Sequence, residues 1–159
     1  MSDLVQIEVG ARPWSPGPDV KELHILDYYN IPLAGIIEQH GAQHFYVCAA
    51  GEEDRANVWL YSHIDAEEAR ALAATTGEQL VPIMAAALRN RMVVAALAED
   101  GCILDHDRVD AGLEHPGVLV RRYLAKLRAR MTRMNQRVHT LEQDPSLTEE
   151  VADEALIAM

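Results

Sequence analysis

Turn-forming residues interrupt the chain at short intervals between residues 20 and 64, and this punctuation constrains the fold more than any other feature. The turns fall at Asn30 and Pro32, at His40-Gly41 and across residues 51–57. The runs between them are rich in aliphatic and aromatic residues, which favour extended chain. These runs cover residues 24–29, 33–38, 44–49 and 58–63. The pattern predicts an antiparallel meander of four strands.

Aromatic residues are concentrated in this meander. Alternation places Phe45 and Tyr46 on opposite faces of the third strand, and Trp59 and Tyr61 together on one face of the fourth. Apolar side chains therefore occur on both faces, and we expect both faces to be at least partly covered and most of the rings to be core. Rings left exposed would form an interaction patch, because Tyr and Trp commonly anchor protein interfaces. The candidates for such a patch are Tyr28, Tyr46, Trp59 and Tyr61.

Two helices are predicted after the meander. Asp65 is a suitable N-cap, with Glu68 placed three residues later to complete a capping box, and Gly77 is a stop signal, so the first helix is predicted over residues 65–76. The second helix is predicted over residues 78–90, where Pro82 is tolerated only in the first turn.

A β-hairpin is predicted next. The run from residue 91 to 98 is followed by the turn Glu99-Asp100-Gly101 and by a short run over residues 102–104. The alanine-rich part of the first run could equally extend the preceding helix, because periodicity does not separate the two over so few residues. The polar stretch Asp105-His106-Asp107 is expected to be a loop after the strand.

The N-terminal residues are expected to stand apart from this body. Residues 4–9 predict a short strand, and the prolines at positions 13, 16 and 18 predict a stiff connection over the rest of residues 1–19. The ordered domain is expected to begin near residue 20 and to extend to residue 112.

There is no positively charged leader and no run long and apolar enough for a membrane span, so we expect a cytoplasmic protein. The two cysteines, Cys48 and Cys102, are far apart in the sequence, and we expect them to be reduced thiols and not part of a disulfide framework.

A heptad pattern begins after Pro116 and predicts a helix from residue 117 to 142. Apolar residues recur at spacings of four and three, as a helical seam requires. The seam consists of Val120, Leu124, Leu127, Met131, Met134, Val138 and Leu141. Taking Leu124 as a heptad position a puts Arg121 and Arg128 at e and Arg130 and Arg137 at g, so arginine flanks the seam on both sides.

Charge is distributed unevenly, and this helix is strongly basic. No Asp or Glu occurs between Glu114 and Glu142, whereas half of the 14 basic residues lie there. They are Arg121, Arg122, Lys126, Arg128, Arg130, Arg133 and Arg137. The whole chain has a net charge of −11, which disfavours non-specific binding of nucleic acid by the whole surface but leaves room for a local basic site.

A second, acidic helix is predicted immediately behind the basic one. Ser146 to Glu149 form a capping box, and the segment to residue 158 carries acidic residues on one side and apolar residues on another. The expected fold is therefore α+β, with an antiparallel meander packed by two helices (residues 20–112) and a C-terminal antiparallel helical hairpin (residues 113–159).

Motifs that would name a reaction, a metal site or a cofactor are not found, and we predict none. His40 and His44 bracket a turn containing Gly41, which argues against shared metal ligation. We therefore expect a non-enzymatic interaction or regulatory protein of bacterial type that is oligomeric or binds a protein partner through the basic helix and the aromatic sheet face. The other candidate to cover the apolar seam is the chain's own acidic final helix or acidic body. A regulator contacting nucleic acid through the seven basic residues is the alternative. An enzyme with an unrecognised site that uses His63, His106 or Cys102 is the third hypothesis.

Overall fold

A computed structural model describes residues 4–51 and 56–143 of the chain. Within these residues, six strands form one sheet in the order β1-β2-β3-β4-β5-β6, and every neighbouring pair is antiparallel. The strands are β1 (Val20–Tyr29), β2 (Ile31–Gln39), β3 (Ala42–Gly51), β4 (Ala56–Ile64), β5 (Arg91–Glu99) and β6 (Cys102–Ala111). The helices are α1 (Ala66–Ala74), α2 (Leu80–Ala86) and α3 (Pro116–Gln143), with a 3-10 turn at Gly77–Gln79. The predicted α+β class and meander are confirmed, and the meander continues through the predicted hairpin.

Two tight turns account for the agreement between prediction and structure at the β2–β3 and β5–β6 hairpins. His40 and Gly41 both have positive φ, at 52° and 81°, and Asp100 and Gly101 repeat the arrangement at 52° and 78°. Positive φ at both central residues defines the type I′ turn, whose twist matches that of two antiparallel strands. The β5–β6 hairpin also shows that the alanine-rich run is a strand and does not extend the preceding helix.

The N-terminal residues differ from the prediction, because residues 4–9 form no strand. The Gln39 side chain holds the backbone of this segment instead: its Oε1 accepts from the Gln6 amide at 2.7 Å and its Nε2 donates to the Gln6 carbonyl at 3.0 Å. Val5 is buried among the aromatic side chains of the sheet, and Trp14 packs against the same cluster. The packed body therefore begins well before residue 20, since this segment covers one sheet face.

The helices after the meander form where predicted but are shorter. The capping box at Asp65 and Glu68 is present, with Asp65 accepting from the Glu68 amide at 2.7 Å, and α1 ends at Ala74 before Gly77 is reached. The second predicted helix is divided into the 3-10 turn and α2, which ends at Ala86. Backbone turns continue from Ala86 to Arg89, and the Arg91 guanidinium group donates to the carbonyls of these two residues, at 3.4 and 2.8 Å.

Strand β6 is longer than predicted and includes Asp105-His106-Asp107, so the prediction of a loop there is wrong. Ile103, Val109 and Ala111 are buried along this strand, and their burial stabilises extended chain although polar residues lie between them. Asp105 is half-buried and accepts a hydrogen bond from Tyr123 of α3. A polar side chain with a partner on a neighbouring element is compatible with a strand interior.

The chain divides into two compact units, of which the first ends at Tyr123 and the second begins at Leu124, within α3. The described part of the second unit is one long helix. The predicted acidic helix at 146–158, the second arm of the expected hairpin, lies outside the described residues. No helix in residues 4–51 and 56–143 is long and apolar enough to cross a membrane.

Candidate interaction helix

Helix α3 begins at a well-formed N-terminus. Pro116 occupies the first helical position, where a missing amide hydrogen is harmless and the fixed φ suits a helix. The His115 side chain accepts from the Gly117 amide through Nδ1 at 3.0 Å, and its carbonyl accepts from the Val118 amide at 2.9 Å. These contacts set where the helix starts and therefore which residues its first turns bury.

The first turns of α3 belong to the core of the first unit. Leu119, Val120 and Tyr123 are buried, and the Tyr123 hydroxyl donates to Asp105 Oδ2 at 2.5 Å. Val120 was predicted to bind a partner as the first residue of the seam. This prediction is wrong, because the chain's own fold covers Val120, and heptad spacing does not distinguish an internal contact from an external one.

Arg122 also makes its contacts within the first unit. Its Nη2 lies 2.6 Å from Glu114 Oε1, and its Nη1 donates to the Asp110 carbonyl at 2.9 Å. The pKa of Glu114 is lowered, first by a hydrogen bond from its own backbone amide and then by Arg122. Arg122, one of the seven basic residues, therefore binds the start of α3 to β6.

Distal α3, residues 124–143, has a different character. Leu124 and Leu127 are half-buried, whereas Met131 and Met134 are 57% and 66% exposed. The side chains of the two last seam residues, Val138 and Leu141, lie outside the described set. The seam thus passes from buried to exposed along its length, and the exposed part is flexible, polarisable methionine.

Basic side chains surround the exposed methionines. Arg121, Arg128, Arg133 and Arg137 are exposed, and Arg130 is half-buried. In the part of the chain that the structure describes, Arg128, Arg133 and Arg137 form no ion pair. Distal α3 can therefore present apolar surface together with uncompensated positive charge.

The predicted aromatic patch is largely internal. Tyr46, Trp59 and Tyr61 are fully buried, and their rings pack at centroid distances of 6.2 Å (Tyr46–Trp59) and 6.4 Å (Tyr46–Tyr61). The patch prediction is wrong for these three because the N-terminal segment covers them, and the Tyr61 hydroxyl donates to the Pro13 carbonyl at 2.6 Å. Of the four candidates only Tyr28 is exposed, at 61%.

His63 packs against His44 on the neighbouring strand, with ring centroids 5.7 Å apart, but the three residues considered for catalysis, His63, His106 and Cys102, do not share a cleft. His63 lines a cleft with Asp65 and Arg89, whereas His106 lines a different cleft beside residues 4–7. Cys48 and Cys102 are free thiols, and burial raises the pKa of the Cys48 thiol, which opposes nucleophilic reactivity. Among the described residues, no three His, Cys, Asp or Glu side chains are grouped as metal ligands.

Arg91 was not identified from the sequence, although its side chain links several elements of the first unit through polar contacts. Its guanidinium pairs with both carboxylate oxygens of Glu68, at 2.7 and 3.1 Å, and donates to the His63 carbonyl at 3.0 Å. Arginine at the start of a strand carries no periodic signal. Its partners on α1 and β4 are known only once the fold is formed.

Comparison with protein-family models, with curated proteins and with solved structures finds no significant match. The assignment of a function therefore rests on the geometry of α3.

Proposed function

We propose that the chain is a non-enzymatic interaction protein that binds an acidic, amphipathic helix of a partner protein on distal α3. The observation that carries the proposal is the exposure of Met131 and Met134 on distal α3, whose other described side chains are mostly charged or polar.

The apolar part of the binding energy can be estimated from these two residues. Burying a Met side chain fully contributes about 1.5–3 kcal/mol. More than half of each side chain is still exposed, so docking a partner over both would contribute about 2–4 kcal/mol. This term is large enough to place a partner helix, and the flanking charges then select which helix fits.

Arginine on both flanks favours an acidic partner. Complementary charge raises the association rate and disfavours wrong partners, since like charges brought together are destabilising. Two copies of distal α3 would bring arginines near each other without salt bridges, so direct pairing of this segment with itself is less favourable. Self-association would instead use an acidic segment of the second copy.

A nucleic-acid regulator is the second candidate, and the exposed arginines 128, 133 and 137 support it. Phosphate contacts would explain the charge but leave the exposed methionines unused. Affinity for nucleic acid would fall steeply with salt, whereas a contact that also buries apolar surface would be less sensitive.

We also place the protein in the cytoplasm, where the two free thiols stay reduced.

Capture of partners by the full chain, followed by chemical cross-linking to locate the contact, tests the proposal. The Met131→Glu/Met134→Glu variant removes apolar surface and adds like charge toward an acidic partner. We expect it to weaken binding by about 2–4 kcal/mol, or roughly 30- to 1,000-fold. The matched control is Val81→Glu/Leu113→Glu, which alters two exposed apolar residues elsewhere.

A partner that cross-links to distal α3 and is lost only in the methionine variant would support the proposal. Equal capture by both variants would refute it. Binding to nucleic acid that is insensitive to the methionine change but lost when Arg128, Arg133 and Arg137 become Gln would favour the second candidate.

A further inference from the structure

We infer that β1 pairs antiparallel with β1 of a second copy of the chain, about a two-fold axis at His24, so that two sheets join edge to edge. The inference goes beyond the proposed function, because it concerns the first unit and makes no use of distal α3. Three features of β1 support it: its uncovered edge, the positions of its bulges and its charges.

The two edges of the sheet differ in what covers them. At β6, the Ile103 backbone exchanges hydrogen bonds with Gly10 at 2.7 Å and with Ala11 at 2.9 Å. The Asp110 carbonyl, near the other end of β6, accepts from Arg122 at 2.9 Å. Among the described residues, no hydrogen bond reaches the β1 backbone from outside β2. An edge strand exposes a row of unpaired N–H and C=O groups that can bind another strand, so β1 is the edge open to pairing.

Apolar side chains also remain exposed along β1. Leu23 and Ile25, on either side of His24, are 38% and 39% exposed. A partner strand at this edge would remove part of their surface from water, which favours association. Because β6 is covered near both ends, we expect association through the sheet to stop at two copies.

The bulges of β1 lie symmetrically about His24. Relative to β2, β1 has one register shift between Glu22 and His24 and another between Ile25 and Asp27. Bulges normally keep an edge strand from pairing with a regular strand. When two copies of β1 run antiparallel about His24, the first shift of one copy meets the second shift of the other. A second copy of β1 is therefore a partner whose irregularities match.

Charge favours the same arrangement. Lys21 and Asp27 each lie three residues from His24. Their partners on β2, Glu38 and Ala34, are four positions apart, so both side chains lie on one face of the sheet. Neither side chain forms an ion pair among the described residues. Pairing about His24 puts Lys21 of each copy opposite Asp27 of the other, and opposite charges across two strands are stabilising. Any other two-fold axis separates Lys21 from Asp27.

A single cysteine at the two-fold axis tests the register. In a Cys48→Ala/Cys102→Ala background, His24→Cys places two thiols directly opposite each other, where Cα atoms are about 4.5–5.5 Å apart and a disulfide fits. The matched control is Tyr28→Cys, an exposed position of the same strand. Tyr28 is four residues from His24 in each copy, so the control cysteines would lie about 26 Å apart. With oxidised glutathione, we expect His24→Cys to give a covalent dimer at least about ten-fold faster than the control.

Two results of this experiment would overturn the inference. One is that Tyr28→Cys forms the covalent dimer as fast as His24→Cys or faster. The other is monomer mass in sedimentation equilibrium at every concentration, with His24→Cys cross-linking only to other proteins in a cell extract. That result would assign the edge of β1 to a strand of a different protein.

Charge exchange tests the pairing of Lys21 with Asp27. Lys21→Asp and Asp27→Lys each place like charges opposite each other at two positions of the dimer. We expect each variant to weaken the dimer at least about four-fold in sedimentation equilibrium. The two variants change the net charge in opposite directions, so a general effect of net charge would weaken one dimer and strengthen the other.

The double variant is the decisive control. Lys21→Asp/Asp27→Lys restores opposite charges across the axis, and its dissociation constant should return to within about two-fold of the native value. All of these substitutions leave α3 unaltered, so their failure would leave the proposed function standing. A double variant as weak as the single variants, or single variants as strong as the native dimer, would overturn the pairing about His24.

Discussion

Replacing a tyrosine by phenylalanine removes only the hydroxyl group, so four such variants measure what each hydroxyl contributes to stability in its surroundings. Tyr123 is the most informative. Its ring is fully buried and its hydroxyl donates to the Asp105 carboxylate at 2.5 Å. Phenylalanine keeps the ring and leaves no cavity, so Tyr123→Phe removes only the hydrogen bond to a charged acceptor. The free energy of unfolding should fall by about 1.5–3 kcal/mol.

The other buried tyrosines are predicted to respond less. Tyr61 donates to a neutral acceptor, the Pro13 carbonyl, at 2.6 Å, and Tyr61→Phe should lower the free energy of unfolding by about 0.5–1.5 kcal/mol. The Tyr46 hydroxyl is buried without a partner among the described residues. Tyr46→Phe should therefore leave stability unchanged or raise it by about 1 kcal/mol, because it removes an unsatisfied polar group.

Urea unfolding followed by circular dichroism measures all four variants. Tyr29→Phe is the control, since Tyr29 is 75% exposed, and it should stay within about 0.5 kcal/mol of the native protein. The expected order of destabilisation is Tyr123, then Tyr61, then Tyr29 and Tyr46, with unchanged dependence on urea. For Tyr123→Phe the melting temperature should fall by about 3–12 °C.

A different order would refute this reasoning. A loss below about 0.5 kcal/mol for Tyr123→Phe would mean that the hydroxyl does not fasten α3 to β6. A loss above about 2 kcal/mol for Tyr46→Phe would mean that its hydroxyl has a partner in the folded protein.

Three further predictions concern the first unit. In Gly35→Ala the new Cβ would lie 2.6 Å from the Tyr46 hydroxyl oxygen, so thermal unfolding should show a loss of about 1–3 kcal/mol from overpacking. Burial is the main cause that raises the pKa of Tyr46 and Tyr61 above the ordinary 10.0, so the unfolded chain loses these protons first. The contribution of these two tyrosines to the free energy of unfolding should be complete below pH 10 and fall above it by up to about 1.4 kcal/mol per pH unit for each. Urea titrations at several pH values measure this fall. Arg91→Met breaks the paired contact with Glu68, and because both side chains are partly exposed we expect a loss of about 2 kcal/mol in urea unfolding. No change in that variant would show that solvent replaces the ion pair.

Local signals predicted much of the fold because each is read from a few neighbouring residues. The His40-Gly41 and Asp100-Gly101 turns require positive φ, which glycine supplies and few other residues tolerate. The Asp65 and Glu68 capping box is likewise a contact over three residues. Such features keep their meaning whatever the rest of the chain does.

Features that depend on distant residues were not predictable in the same way. The segment at residues 4–9 alternates like a strand, yet the Gln39 side chain binds its backbone. Tyr46 and Trp59 could have been exposed, but that segment lies over them. Both outcomes follow from contacts between parts of the chain separated by more than thirty residues, as the Gln6–Gln39 separation of 33 illustrates.

The candidate site was predicted in part, for a related reason. Heptad spacing indicated a long helix with one apolar side, and α3 is that helix. The spacing could not show that Val120 packs inside the first unit while Met131 and Met134 are exposed. What distinguishes these residues is whether other parts of the chain pack over them, which is a property of the folded protein and not of the heptad spacing.

Oxidation of methionines by dilute peroxide, followed by mass spectrometry, tests most directly whether distal α3 is a binding surface. Met131 and Met134, at 57% and 66% exposure, are more open than Met92 at 40%, so an uncovered surface would oxidise faster than this internal reference. The account predicts that in the chain alone both oxidise faster than Met92, and that a bound acidic partner helix protects both while Met92 stays as reactive as before. If the oxidation of Met131 and Met134 is unchanged when the partner is bound, distal α3 is not the binding surface.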